Sequence, residues 1–386
     1  MSGQTEGMTL DYGLLARALG TELADQGTPE RLAELFARVP RHRFLPHQFR
    51  TIDDTRYDWA DDPDLWLRTA YSDRALTTQV DDGADGGMGI PTSSSSAPSV
   101  MAQMLDAADL RPGQQVLEVG TGTGYNAALL TELLGPDNVT SIEVDEGLAD
   151  TARADLAAAG YLPTILAGDG ESPPALAAVY DRLIATFTVA VVPWRWLDVV
   201  RSGGRIVTPW APSPGAPVGL LAVLDVDGGG RAAGKFAGAL SFMWSRSQRW
   251  PSAPMPGPDA QPDQVEQVSG DPREAWLDGD MAVLLSLLRP DWAHGMGMEP
   301  GAEEPHVRVV STSCSSWMRL HADGRVESAG NRPLWGEFAD ALTWWRAQES
   351  PPVTEFGLTV DRGRSVQTVW LHSPDTAVWT SHRHPA

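Results

Sequence analysis

Residues 116–126 read Val-Leu-Glu-Val-Gly-Thr-Gly-Thr-Gly-Tyr-Asn, and this stretch decides the fold. The apolar run at its start predicts a buried strand, and the segment 126–134 that follows has alanines and leucines at helical spacing. Between them stand three alternating glycines, Gly120, Gly122 and Gly124. A strand, a glycine turn and a helix in this order predict an open α/β sheet with its backbone close to a nucleotide-like ligand, because glycine has no Cβ to block the approach.

The spacing of the acid and the glycines favours one kind of nucleotide over another. A dinucleotide fold usually carries Gly-x-Gly-x-x-Gly, but here the third glycine comes one residue early and Glu118 stands two residues before the first. A carboxylate at Glu118 would repel a pyrophosphate and attract the ammonium group of a methionine moiety. We therefore predict S-adenosyl-L-methionine as cofactor, with S-adenosyl-L-homocysteine as product, and include Thr121 in its site. A glycine turn without a ligand is the alternative.

Three further strand ends complete the predicted site. Glu143 ends the second predicted strand about 20 residues after the glycine turn, where a carboxylate can accept both ribose hydroxyls. Asp169 and Gly170 end the third strand, and the carboxylate of Asp169 can accept a bond from an adenine amine, although a plain turn is the alternative. Thr186 ends the fourth strand and is predicted to face the reacting centre and bind substrate.

Composition limits the partners of the chain. Its 51 acidic residues outnumber its 29 basic ones, for a formal net charge of −22 over 386 residues. Such acidity disfavours nucleic acid and anionic membranes as partners, although it could reflect solubility alone. The single cysteine, Cys314, excludes an internal disulfide and a cysteine-ligated zinc site, and His382 and His384 have no acid or cysteine at ligand spacing. We expect no bound metal.

The chain has no apolar run of the roughly 18 residues that a membrane helix needs, and no signal-peptide pattern at its start. The cytoplasm is therefore the expected location. The sequence favours no particular oligomeric state.

The predicted organisation has four parts. Residues 1–90 form an N-terminal helical and loop region, within which 51–90 is rich in Asp, Gly and turn residues and is predicted to form surface loops and short helices. Residues 91–250 form the cofactor-binding α/β domain. Residues 251–274, rich in Pro, Gly, Asp and Gln, are a predicted linker or exposed loop. Residues 275–386 form a smaller α+β domain.

Helices and strands alternate along the predicted α/β domain. Strands are predicted at 115–119, 138–144, 163–167, 182–187, 204–209, 218–225 and 234–243. Helices are predicted at 99–107, 125–134, 146–159, 173–178 and 193–201. This alternation predicts a mostly parallel sheet covered on both faces. In the C-terminal part the predictions are a helix near 274–288, a strand pair near 306–327, a helix at 333–347 and strands near 354–360 and 365–371.

Several stretches between about residues 28 and 210 match the pattern of a known family. They are Phe36-Ala37-Arg38-Val39-Pro40-Arg41-His42-Arg43-Phe44-Leu45-Pro46, Ala70-Tyr71-Ser72-Asp73, Ser94-Ser95-Ser96-Ala97-Pro98, the glycine motif, Asp169-Gly170 and Ser202-Gly203-Gly204-Arg205. In order and spacing the chain resembles protein-L-isoaspartate O-methyltransferases. The resemblance implies an S-adenosylmethionine-dependent protein or peptide carboxyl O-methyltransferase with a doubly wound, Rossmann-like sheet and additional N-terminal helices.

The resemblance also implies a substrate pocket. In that family a Thr-Ile-Ser-Ala-Pro-like segment lines the pocket, and its serine matches Ser96 while its threonine matches Ser94. We place Ser95 and Tyr71, which lie in the matched stretches, with the substrate as well. His42 is predicted to have a structural role.

Three features depart from the usual family pattern. The resemblance implies that the family's usual enzymes are little more than half this length and lack an equivalent of residues 251–386; that segment is rich in tryptophan, and residues 92–96 are rich in serine. Long homologues of this kind resemble methyltransferases encoded beside ribosomally made, modified peptides, namely lanthipeptides and the graspetides made by ATP-grasp enzymes. This resemblance implies a modified precursor peptide as partner, with methylation of an ordinary aspartate to an ester that collapses to aspartimide, isoaspartate or both.

Methyl transfer to a carboxylate demands little acid–base chemistry. An aspartate side chain has a reference pKa near 3.9 and is already ionised at pH 7, so positioning and electrostatics suffice. Ser96 is the predicted catalytic residue, which orients the carboxylate through its hydroxyl. A serine nucleophile would need a His–acid pair, and the chain has no Gly-x-Ser-x-Gly elbow.

Three functions follow for testing. The first is methylation of an aspartate in a ribosomally made modified peptide. The second is general repair methylation of isoaspartate in damaged proteins. The third is a non-catalytic peptide-binding protein with a vestigial cofactor fold, against which the intact acids and glycines of the predicted cofactor site argue.

Overall fold

The chain forms two compact units. The computed structural model describes residues 10–174, 179–213, 216, 218–249, 257, 260–298, 301 and 303–382. Outside these ranges lie residues 175–178 of the predicted helix 173–178, residues 251–256, 258 and 259 of the predicted linker, and His384. The first unit comprises Met1–Phe187, Pro193–Thr208 and Asp225–Gly230, and the second comprises Thr188–Val192, Pro209–Leu224 and Arg231–Ala386.

The helices of the first unit cover its N-terminal region and alternate with its parallel strands. Those described are α1 Tyr12–Asp25, α2 Glu30–Arg38, α3 Pro63–Ala70, α4 Pro98–Ala107, α5 Tyr125–Leu134, α6 Glu146–Ala159 and α7 Trp194–Val199. Asp145 caps α6 through a bond from the Leu148 backbone N–H, and Gly160 ends it in the left-handed conformation. The predicted helices 125–134 and 146–159 are confirmed.

The first two helices pack closely because a glycine lies at their contact. The Asp11 carboxylate caps α1, and the apolar side chains Leu32 and Phe36 of α2 are fully buried. A Cβ added to Gly20 of α1 would lie 2.8 Å from the carbonyl oxygen of Ala33 in α2, so a larger residue would push the helices apart.

The strands of the first unit form two sheets. They are β1 Gln48–Arg50, β2 Arg56–Asp58, β3 Leu76–Val80, β4 Pro91–Ser95, β5 Val116–Val119, β6 Val139–Glu143, β7 Thr164–Ala167, β8 Tyr180–Ala185 and β9 Val200–Trp210. Five of them are neighbours in the order β9-β8-β5-β6-β7, and each adjacent pair is parallel. The register sets Glu118 of β5 beside Ser141 of β6. The predicted α/β class and parallel sheet are confirmed.

The prediction of loops and short helices for 51–90 is wrong in part. Strands β2 and β3 lie within this range and form an antiparallel sheet with β1 and β4, in the order β2-β1-β3-β4. Most residues of β1, β2 and β3 are exposed or half-buried. Their sequences therefore lack the alternation of apolar and polar residues that predicts a strand. Residues Pro63–Ala70 form the helix α3, which agrees with the prediction of short helices in this range.

The second unit is built from two further groups of strands and three described helices. Its elements are β10 Gly219–Val226, β11 Arg231–Leu240, β12 Gln264–Gln267, α8 Glu274–Leu277, α9 Gly279–Leu288, β13 Trp292–Gly297, β14 His306–Ser311, β15 Trp317–Leu320, β16 Arg325–Ala329, α10 Leu334–Ala347, β17 Phe356–Asp361, β18 Val366–Leu371 and β19 Ala377–Ser381. The strand orders are β10-β11-β17-β18-β19 and β12-β16-β15-β14-β13. Among the described residues, no helix combines the length and apolar character that crossing a membrane requires.

Several predicted elements of the second unit differ from the structure. The predicted helix near 274–288 is two helices, because Asp278 breaks it and caps α9. The predicted strand pair near 306–327 is the three strands β14, β15 and β16. Within the predicted linker, Gln264–Gln267 form an exposed edge strand that pairs with β16. An exposed polar edge strand has a loop-like composition, so its pairing is visible only in the fold.

Candidate active site

The glycine turn connects β5 to α5 in a conformation that only glycine adopts easily. Gly120, Gly122 and Gly124 have φ values of +97°, +51° and +83°. A Cβ added to Gly120 would lie 2.5 Å from Thr186 Oγ1 and 3.1 Å from a ring carbon of Phe187. Both the backbone angle and the lack of space therefore require glycine at position 120.

Glu118 lies beneath this turn and has no solvent exposure. Its carboxylate accepts hydrogen bonds from Asn126 Nδ2 at 2.7 Å and from Ser141 Oγ at 2.5 Å. Thr121 Oγ1 lies 2.6 Å from Ser141 Oγ, so the side chains form one buried polar chain. Burial raises the pKa of Glu118 to about 7. The structure thus shows Glu118 bracing the turn, and its attraction for a methionine ammonium group stays a prediction.

Glu143 meets the turn from the end of β6. Its Oε2 accepts a bond from the Gly122 N–H at 2.8 Å, and its Oε1 accepts one from the Asp145 N–H at 3.1 Å. Each carboxylate oxygen has a second lone pair, so these bonds leave capacity for further donors.

Asp169 and Gly170 lie at the end of β7. Asp169 is exposed, and its carboxylate accepts a bond from the Glu171 N–H at 2.9 Å. Gly170 is buried, and a Cβ there would lie 2.1 Å from Val119 Cγ1. The indole N–H of the fully buried Trp196 donates to the Gly170 carbonyl at 2.8 Å. This contact was not predicted, although the aromatic start of α7 could have suggested it.

Thr186 packs against the glycine turn. Its hydroxyl donates to the carbonyl oxygen of Gly120 at 2.6 Å and lies 3.2 Å from that of Val119. The structure therefore places Thr186 beside the cofactor turn, and its predicted contact with substrate stays a prediction.

The serine-rich segment lies against the same turn. A Cβ built on Gly122 would be 3.6 Å from Ser93 Oγ and 3.6 Å from the Ser94 carbonyl oxygen. Ser94 is half-buried in β4 and Ser95 is buried. Ser96 follows the strand and is half-buried, and within the described ranges no hydrogen bond involves its hydroxyl. The predicted cofactor and substrate segments are thus adjacent.

Arg41 is a site residue that sequence reasoning missed. Its side chain has no solvent exposure and makes six hydrogen bonds, to the Ser95 hydroxyl and to five backbone carbonyls. Those carbonyls belong to Ala70, Ser72, Arg74, Ser95 and Ser96. Burial lowers the pKa of Arg41 to about 10, so it stays charged at neutral pH. The sequence contains it only as part of a matched stretch, and nothing local indicates its burial.

Tyr71 is held inside the first unit. It is buried, and its hydroxyl lies 2.7 Å from His42 Nδ1. Burial raises the pKa of Tyr71 and lowers that of His42 to about 4, so the pair is neutral at pH 7. The structural role expected for His42 agrees with this contact. The predicted contact of Tyr71 with substrate stays a prediction.

The residues at this sheet edge fit S-adenosylmethionine. The space beside Gly120 is too small for a Cβ, because Thr186 and Phe187 fill it. A buried carboxylate, Glu143, and an exposed one, Asp169, stand at the ends of neighbouring strands. In open α/β sheets ligands bind outside the carboxyl ends of the strands, and carboxylates suit ribose hydroxyls and an adenine amine.

Comparison with known proteins agrees with this geometry. The family model described as protein-L-isoaspartate(D-aspartate) O-methyltransferase matches residues 16–216. The chain is 38% identical over 191 residues to a protein-L-isoaspartate O-methyltransferase of Ignicoccus hospitalis, covering 49% of this chain and 77% of the relative. It is 31% identical over 225 residues to protein-L-isoaspartate O-methyltransferase 1 of Archaeoglobus fulgidus, covering 58% of this chain and 89% of the relative.

A solved structure supports the fold. A protein-L-isoaspartate O-methyltransferase aligns with a TM-score of 0.51 and 19% identity, over 90% of this chain and 97% of that chain. The family model covers more than half of the 386 residues. The glycine turn and the two carboxylates that fit S-adenosylmethionine lie within the matched range. The protein is therefore an S-adenosylmethionine-dependent carboxyl O-methyltransferase, and its chain belongs to the protein-L-isoaspartate O-methyltransferase family.

Proposed function

We propose that this enzyme methylates the free carboxylate of isoaspartyl residues in peptides or proteins, which is general repair methylation. The family match and the relatives' names support this substrate class. The observation that carries the proposal is the position of the serine-rich segment, whose Ser93 hydroxyl and Ser94 carbonyl both flank Gly122. A carboxylate bound at Ser96 would then lie next to the cofactor turn.

The chain's own residues would act by holding and orienting the reactants. S-adenosylmethionine, when bound, supplies a methyl group on a positively charged sulfur. The Ser96 hydroxyl would donate a hydrogen bond to one carboxylate oxygen and leave the other free to attack in line. Glu143 and Asp169 would hold the ribose and the adenine. No general base is needed, because the carboxylate is already ionised at pH 7.

The step after transfer needs no further residue. The backbone nitrogen of the residue that follows attacks the ester carbonyl, methanol leaves with the nitrogen's proton, and a five-membered imide forms. Hydrolysis of the imide gives aspartate and isoaspartate. A small following residue such as glycine would ease the attack.

Methylation of an aspartate in a modified precursor peptide is the second candidate. The serine-rich residues 92–96 and the tryptophan-rich composition of residues 251–386 favour it. The solved isoaspartate methyltransferase aligns with 90% of this chain, so the alignment must include residues after 250. The length of the chain therefore does not distinguish the two candidates.

The test compares three substrates under identical conditions. The full chain is incubated with S-adenosylmethionine and a short linear isoaspartyl peptide, the same peptide with normal aspartate, or a cyclised precursor peptide. General repair predicts a gain of one methyl group, followed by loss of methanol, on the isoaspartyl peptide alone. Preference for the cyclised peptide would favour the second candidate, and no methylation of any of the three would contradict both. The variant Ser96→Ala is the matched control, since it removes only the hydroxyl that would orient the carboxylate.

A further inference from the structure

We propose that Arg41 is a positioning residue for methyl transfer, which fixes the backbone of Ser96 so that its hydroxyl meets the substrate carboxylate. This inference rests on the proposed function, because it gives a role to a residue behind the same substrate segment.

The guanidinium of Arg41 joins two separate segments of the first unit. Its Nη1 donates to the carbonyls of Ala70 at 3.1 Å and Ser72 at 2.9 Å, and its Nη2 donates to that of Arg74 at 2.9 Å. On the other side it reaches the serine-rich segment through three bonds. These are Nε to Ser95 Oγ at 3.2 Å, Nη2 to the Ser95 carbonyl at 3.1 Å, and Nη2 to the Ser96 carbonyl at 2.9 Å.

The last two bonds restrain both peptide planes next to the Ser96 Cα. The Ser95 carbonyl belongs to the peptide bond before that atom, and the Ser96 carbonyl belongs to the peptide bond after it. One nitrogen, Nη2 of Arg41, holds both carbonyls. It therefore restricts both backbone dihedral angles of Ser96 and, with them, the direction of its Cα–Cβ bond.

Arg41 has no direct ion-pair partner among the described residues, and the Asp73 carboxylate acts on its charge only from a longer distance. In the part of the chain that the structure describes, no acidic oxygen lies within ion-pairing distance of its guanidinium, and backbone carbonyls take that place. Burying a cation is costly unless its donors are satisfied. Here half of the hydrogen bonds that satisfy them go to Ser95 and Ser96, and the other half go to the carbonyls of Ala70, Ser72 and Arg74.

A lysine could not replace this arginine. Arginine offers five N–H donors in a rigid planar fork, whereas lysine offers three on a flexible stem. The variant Arg41→Lys keeps the charge and loses the fork, so it tests positioning apart from charge. We expect kcat/KM for the isoaspartyl peptide to fall about 100-fold, the scale that misplacement of a reacting group produces, with the affinity for S-adenosylhomocysteine unchanged within about twofold.

The matched control is Arg182→Lys. Arg182 is also a buried arginine of the first unit, and it donates to the carbonyls of Ala108, Asp181 and Asp109. Both variants should lower the melting temperature, but only Arg41→Lys should lower methyl transfer. A double-mutant cycle adds Ser96→Ala, in whose background Arg41→Lys should cost less than about threefold, because the group it positions is already gone.

A readout without substrate separates this inference from the proposed function. Hydrogen exchange of the backbone amides in 93–97 should quicken in Arg41→Lys and not in Arg182→Lys. If the wild-type enzyme methylates no isoaspartyl peptide while this difference in exchange remains, the proposed function is wrong. The restraint of the Ser95 and Ser96 backbone by Arg41 would still be supported.

The inference is overturned if Arg41→Lys and Arg182→Lys have the same kcat/KM, or if the losses from Arg41→Lys and Ser96→Ala simply multiply. Where Arg41→Lys does not fold, Ser95→Ala replaces it, since Ser95 is buried and, among the described residues, its hydroxyl bonds only to Arg41 Nε. We then expect about a threefold loss of kcat/KM with the same cofactor affinity, and an unchanged kcat/KM would overturn the inference.

Discussion

The site has a cofactor half, the glycine turn 120–124, and a substrate half, the serine-rich segment 92–96. Each half is held by one fully buried ionisable residue, and the two residues differ in charge and in hydrogen-bond partners. Glu118 lies under the cofactor turn and is held by a neutral amide and a hydroxyl, while Arg41 lies behind the substrate segment and is held by carbonyls and a hydroxyl. Neither has an ion-pair partner in the described ranges. Glu118 can lose its charge by taking up a proton near neutral pH, whereas Arg41 keeps its charge. We therefore expect the cofactor half to remain folded when Glu118 is neutral, whereas the substrate half requires the charged guanidinium of Arg41.

The largest expected effect tests this comparison through stability. Arg41→Met should lower the free energy of unfolding of the first unit by about 3–5 kcal/mol, because the carbonyls that Arg41 satisfies lose their donors. At pH 4.5, where the folded chain holds Glu118 protonated, Glu118→Gln should cost about 1 kcal/mol, since a Gln side chain can still accept from Asn126 and donate to Ser141. Hydrogen exchange of amides in α5 across a urea series measures both values. Equal losses of unfolding free energy in the two variants would contradict the proposed difference between Arg41 and Glu118.

The next effect is a pH dependence that belongs to Glu118. Its pKa is about 7 in the folded chain against 4.5 for the ordinary group, so the folded state holds an extra proton between these values. Stability should fall as the pH rises through this window, by about 3 kcal/mol, and stay level above it. Glu118→Gln lacks this titration and should gain on the wild type by that amount from pH 4.5 to pH 7.

The unfolding free energies of the wild type and Glu118→Gln at half-unit pH steps give this difference directly. Titrating groups that do not interact with Glu118, such as His42, are common to both proteins and cancel. A difference that stays flat with pH would show that Glu118 does not titrate in this range.

A third change sharpens the cofactor side of the comparison. Gly120→Ala places a Cβ 2.5 Å from Thr186 Oγ1 at a residue with φ of +97°. We expect the dissociation constant for S-adenosylhomocysteine to rise about 100-fold, because the turn must shift away from its ligand-facing position. Gly160→Ala is the control, since Gly160 has φ of +90° and no heavy atom of the described residues lies within 4 Å of an added Cβ. Similar affinities for the two variants, measured by calorimetry, would show that the added Cβ at position 120 does not displace the turn.

The cofactor half was predictable from the sequence because its signals are local. The glycines, the Asp145 cap and the Gly160 end of α6 fix the turn and two helices within short stretches. Even there, all four residues of β5 are buried, so no periodicity shows that Glu118 points into the interior and not toward the ligand.

The substrate half was less predictable because long-range contacts define it. Strands β1 to β4 have three to five residues each, and their pairing is the information that the sequence lacks. Arg41 reaches partners 29 to 55 residues away. A charged residue is normally exposed, so its burial follows only from the fold.

The smallest expected effect concerns a second brace of the cofactor half, the indole of Trp196. Its N–H donates to the Gly170 carbonyl at 2.8 Å, next to Asp169. Trp196→Phe removes this donor, and we expect about fivefold weaker binding of S-adenosylhomocysteine, the worth of about 1 kcal/mol. The control is Trp66→Phe, because Trp66 is equally buried and its Nε1 has no hydrogen-bond partner among the described residues. Both changes leave a similar cavity, so a loss confined to Trp196→Phe is not a general effect of opening a cavity in the first unit. Equal affinities would mean that Gly170 is held by packing against Val119 alone, and that the cofactor half depends on its buried carboxylate and not on a neutral donor.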